Sequence, residues 1–208
     1  MIAVREKNAL AINGSLYDFN KIFKEDYYAF KWLRTGETIT VTWSYVPNVL
    51  VLPSLGFTSS ELVVIPPTLA QIEVYQKAFA LWDQALDTLH FIQTDSGNRA
   101  NIAVGIVEHL PGSKARWNAI VTNKVIQDAS IRLDINQINS EAQLLSLMLH
   151  EVGNLLGLGD ISPETGMRSV QVDPPQEYFI GDELWPDDVR MIKQLYSENS
   201  SQDKPPTR

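Results

Sequence analysis

At 208 residues, 44% apolar and 20% charged, the chain is long enough to bury a core and suits one domain with a modest appendage. Lys plus Arg number 17 against 25 Asp plus Glu, a net charge of −8 that argues against a nucleic-acid backbone or an anionic membrane as partner. The absence of cysteine excludes disulfides, thiolate metal sites and a thiol nucleophile.

Taken in order, residues 1–37 read as an N-terminal arm with aromatic clusters at Leu16-Tyr17-Asp18-Phe19 and Tyr27-Tyr28-Ala29-Phe30. The first eight residues lack the apolar stretch of a secretory signal, and no run approaches the roughly 18 apolar residues of a membrane span. Thr38 to Val46 alternates and is rich in β-branched and aromatic residues, which predicts a strand. Residues 47–65 carry turn signals at Pro47-Asn48, Pro53-Ser54 and Gly56 and read as a long connection. A helix is predicted from Pro66-Pro67-Thr68, with an apolar stripe of Leu69, Ile72, Tyr75, Phe79, Trp82 and Leu86 suited to lying on a sheet. Strands follow at 89–93, 100–106, 117–122 and 130–135, the first two separated by a turn at Asp95-Ser96-Gly97-Asn98. A second helix opens at Glu141 with Ser140 as cap, and a third at Pro186, leaving 197–208 as a disordered tail. Strand, helix, several strands and a second helix predict an α/β sandwich on a mixed sheet.

The chemistry concentrates in the second helix and the bend after it. His150 and Asn154 are four apart and share a helix face, Glu151 lies beside them, and Gly157 permits a sharp reversal that returns Asp160. Such a cluster is suited to a metal ion. Two histidines at this spacing with an intervening glutamate hold zinc while the carboxylate takes the proton of the attacking water. The longer pattern H-E-x-x-H-x-x-G-x-x-H, followed by a methionine turn, is matched at His150, Glu151 and Gly157; Asn154 and Asp160 stand in the second and third ligand positions, and Met167 follows.

On these residues the chain resembles a metzincin metallopeptidase catalytic domain over roughly residues 38–196, nearest the matrixin and serralysin groups, with aspartate third as in snapalysins. The resemblance implies a mostly parallel sheet with one antiparallel edge strand, a covering helix, an active-site helix and a C-terminal helix. It implies zinc held by His150, Asn154 and Asp160, Glu151 as general base, and Met167 in the methionine turn. Trp117, Asn118, Ala119, Ile120 and Val121 would form the edge strand that lines the cleft for a peptide or protein substrate, and secretion is the expected location. A calcium ion near Asp134 and Asn136 is a further expectation, weighed against a solvated strand end. Arg168 and Ser169 follow Met167, so the tyrosine ligand of serralysins is not offered.

Asn154 departs from the pattern, because a neutral amide oxygen is a weaker zinc donor than imidazole. The alternative is therefore a pseudopeptidase, a non-catalytic peptide- or protein-binding module in which Asn154 hydrogen-bonds its neighbours without metal. His90 and His109 are the remaining imidazoles; His90 reads as surface or packing, and His109 lies on a loop near the edge strand.

Overall fold

Ile39, Val41 and Trp43 alternate with polar residues, so one face of their strand belongs in a core, and the computed structural model buries all three. The structure describes residues 31–33, 35, 37–46, 64–95, 100–123, 125–175 and 178–197. The aromatic clusters of the arm, the turns expected at 47–56 and 96–98, and the tail from 198 lie outside the described residues.

In chain order the elements are β1 (Lys31–Trp32), β2 (Ile39–Tyr45), β3 (Val64–Ile65), α1 (Leu69–Ala85), β4 (Leu89–Gln93), β5 (Ile102–Val107), β6 (Ala115–Thr122), β7 (Val125–Asp134), α2 (Glu141–Leu155) and α3 (Pro186–Ser197). The sheet runs β1-β7-β5-β2-β4 with every neighbour in that series parallel, while β3 joins β5 and β6 joins β7 antiparallel. This is a mixed, mostly parallel α/β arrangement, as expected.

The sheet has two antiparallel strands where one was expected. Val64 and Ile65 pair with Val107 and Ile106, a contact too short to leave any periodicity in the sequence. Lys31 and Trp32, expected in the arm, are a strand of this same sheet, opposite Val125 and Ile126. The strand expected at 130–135 is β7, which starts five residues earlier because it forms a hairpin with β6 through Asn123 in the left-handed region (φ 51°). Likewise 100–106 becomes 102–107, 117–122 becomes 115–122, and Ser197 closes α3 instead of opening the tail.

Helix α1 starts with a capping box: Thr68 Oγ1 accepts from Gln71 N, and Gln71 Oε1 accepts from Thr68 N. Tyr75, Phe79 and Trp82 are buried as the stripe predicts, and the Phe79 ring stacks on Trp43 with centroids 4.4 Å apart. Leu69 does not belong to the stripe: it is 80% exposed, in a first turn that stands clear of the core. Leu144, Leu145, Met148, Leu149, Val152 and Leu155 of α2 join the same core as α1 and the sheet residues Val104, Ile131 and Leu133. Trp82 links the two helices through its indole N–H, which donates to Leu149 O at 3.0 Å.

Candidate metal centre and cleft

The end of α2 that carries His150 and Asn154 is shaped by its own sequence. Ser140 Oγ accepts from Gln143 N and Glu141 adds a negative charge to the first turn, which favours the helix dipole. At the other end Gly157, with φ 98°, takes the left-handed cap position. Gly157 N donates to Asn154 O and Leu158 N to Gly153 O, the two bonds of a Schellman motif. The reversal carries Asp160 back over the last turn of the helix.

Three side chains meet there. Asn154 Nδ2 lies 3.1 Å from His150 Nε2 and 3.1 Å from Asp160 Oδ1, and His150 Nε2 lies 3.2 Å from Asp160 Oδ1. The other ring nitrogen, His150 Nδ1, donates to Val170 O at 3.0 Å, because a carbonyl can only accept. In the neutral ring Nε2 therefore accepts from Asn154; in the protonated ring Nε2–H donates to Asp160. Burial opposes a charge on His150, but the Asp160 hydrogen bond and the charges of Glu151 and Asp160 outweigh it and raise the imidazole to about 9. Burial acts against ionisation of Asp160 as well, yet His150 and Asn154 together hold that carboxyl below its usual range.

The triangle suits a tetrahedral cation. Ligand atoms about 2.0–2.1 Å from zinc are about 3.3 Å from one another in a regular tetrahedron, within a few tenths of an ångström of the separations here. Among the described residues no group of three His, Cys, Asp or Glu gathers to hold a metal, so the third donor would have to be the Asn154 amide. As oriented, Nδ2 faces the triangle and cannot ligate, while Oδ1 is buried without a hydrogen-bond partner. Turning the amide about its last torsion places that oxygen at the vertex. The residues thus fit a cation, with two strong donors and one weak one.

Glu151 lines the adjacent cleft and is 5% exposed, with Oε2 buried and unpartnered. Burial raises its carboxyl to about 7, with the charges of Asp160 and Asp173 adding to the effect and those of His150 and Arg116 opposing it. A carboxyl poised near neutrality, with one oxygen uncommitted, can take up and release a proton. The cleft, about 390 Å³, has α2 on one side and residues 112–115 on the other, and Val170, Pro174, Tyr178 and Trp185 add apolar wall.

The remaining expected residues fall differently. Met167 is buried in the core just after Gly166, which adopts the left-handed conformation. Strand β6 pairs only with β7 among the described strands, but its residues Trp117, Asn118, Ala119, Ile120 and Val121 do not line the cleft; the chain just before them does. His90 lies 3.8 Å from Asp83 and His109 3.9 Å from Asp134, and neither lines the cleft with His150. Asp134, 1% exposed, accepts from Leu110 N, Asn136 N and Gln137 Nε2, and Asn136 Nδ2 donates to Glu108 O. Both side chains thus staple the loop after β7, with Asp134 buried and Asn136 exposed at the strand end.

Sequence reasoning missed the support behind His150. Asp188, fully buried at the start of α3, accepts from Ser169 Oγ and Val170 N, which fixes the carbonyl that orients the imidazole. Burial lifts the Asp188 carboxyl to about 7 against those hydrogen bonds. In the sequence, Asp187-Asp188 signals only a helix start.

No family model matches the chain. No curated protein matches it either. Among solved structures it is similar to the structure of myroilysin, at 12% identity and a TM-score of 0.43, over 82% of this chain and 97% of that one. At so low a similarity, function has to be argued from the side chains.

Proposed function

We propose that the chain is a metzincin-type peptidase domain that hydrolyses peptide bonds with a zinc ion held by His150, Asn154 and Asp160. The observation that carries this reading is the convergence of those three side chains at 3.1–3.2 Å beside a buried, uncommitted glutamate. Zinc, when bound, would polarise the scissile carbonyl and lower the pKa of its water. Glu151 takes the proton from that water and returns it to the leaving amine, and burial has already brought its carboxyl close to the pH at which both transfers are easy. His150 is oriented by Val170 O. A peptide lies in the cleft against residues 112–115.

Dialysed protein should take up one equivalent of Zn²⁺ in calorimetry, with uptake lost in Asp160→Ala. No uptake by the parent protein would end the reading.

One observation favours a second reading. Asp160 already accepts from the Asn154 amide and from the protonated His150 Nε2–H, so the triangle is complete without a cation, as in a pseudopeptidase that binds peptides and cuts none. Peptide binding that is unchanged by chelator and by Glu151→Gln, with no cleavage, would decide for it.

A further inference from the structure

We propose that Gln171 is a positioning residue that sets His150 against Asp160; this deepens the reading above and rests on it for its metal arm. The two ligands reach the triangle from different pieces of chain, one from the helix and one from the bend beyond Gly157. Something has to register the bend on the helix. Gln171 touches both pieces. Its side-chain Nε2 donates to His150 O at 3.1 Å, and its backbone carbonyl accepts from Ile161 N, the residue after Asp160, at 2.8 Å. Asp173 N closes the pairing by donating to Ile161 O. The preceding residue supplies the carbonyl that holds His150 Nδ1, so Val170 and Gln171 grip the same histidine at its ring and at its backbone.

Packing alone does not account for a glutamine here. The side chain is 0% exposed and its Oε1 has no hydrogen-bond partner, a desolvation cost that an apolar side chain of the same length would avoid. The helix is built to admit it. A Cβ on Gly153 would lie 2.1 Å from Gln171 Nε2 and 2.9 Å from the Trp82 ring, so only glycine leaves the amide room to reach His150 O. Gly153, one residue before Asn154, is thus the socket for Gln171.

The test uses the full chain with 15N-labelled histidine; there are three histidines, so the imidazole spectrum is simple. In Gln171→Met, which keeps the length and removes the amide, the folded protein should melt no lower than wild type. Exchange of the His150 Nδ1 proton with solvent should nevertheless accelerate about tenfold or more, and Zn²⁺ affinity should fall about tenfold or more. Gly153→Ala, which retains Gln171 but pushes it aside, should reproduce both changes. Unchanged proton exchange in a folded Gln171→Met protein overturns the proposal. If wild type takes up no Zn²⁺, the peptidase reading fails while the exchange measurement still judges Gln171. If the Gln171→Met chain cannot fold, Gly153→Ala decides the matter, and unchanged exchange in that variant refutes the proposal.

Discussion

Raising the pH of the metal-free protein from 6.5 to 9 should remove a large part of its stability, and the cause lies in one imidazole. His150 is raised from 6.5 to about 9 by its hydrogen bond and charge partners despite its burial. A group whose pKa is raised on folding stabilises fully below its unfolded value and loses that contribution as pH climbs through the folded one. The relevant window is therefore 6.5 to 9, where the native state holds a proton that the unfolded chain has released. The shift of 9 − 6.5 = 2.5 corresponds to about 3 kcal/mol at about 1.36 kcal/mol each. The imidazole is only 15% exposed, so solvent screens little of this. Urea denaturation at half-unit pH steps, with chelator present, should show the fall in wild type. In His150→Gln the slope between 7 and 9 should largely disappear, because Glu151 and Asp188, both raised to about 7, exert their effects below that range. A wild-type curve that is flat or rising from 7 to 9 would refute the charge assignment in the triangle.

Other outcomes follow from the same geometry. Asn154→His replaces the weak donor with a strong one and should raise Zn²⁺ affinity about tenfold or more, read by calorimetry; no change would mean that position 154 does not face the ion. Glu151→Gln should abolish peptide cleavage while stabilising the fold at pH 8. A carboxyl moved from 4.5 to about 7 carries up to about 3 kcal/mol of penalty once ionised, and urea melts would reveal the gain. Thr68→Ala removes the capping box of α1 and should cost about 1 kcal/mol in thermal or urea unfolding, with zinc uptake unchanged.

Local rules written along the chain account for much of this protein. The i, i+4 spacing sets His150 and Asn154 on one face, Ser140 and Thr68 cap their helices through short-range bonds, and Gly157 turns the chain back at a position only glycine takes easily. Alternation in β2 and the stripe of α1 announce which faces are buried, because side-chain direction repeats with the backbone. Tertiary contact alone decided the rest. Two-residue strands such as β3 have no period to read, and Leu69 fits a stripe yet is 80% exposed. Above all, His150 beside Asp160 is backed by Gln171, Val170 and Asp188, which lie 10 or more positions from either residue and act through hydrogen bonds that no spacing encodes. Side chains from separate segments come to within hydrogen-bond reach of one another only when those segments close in the folded chain.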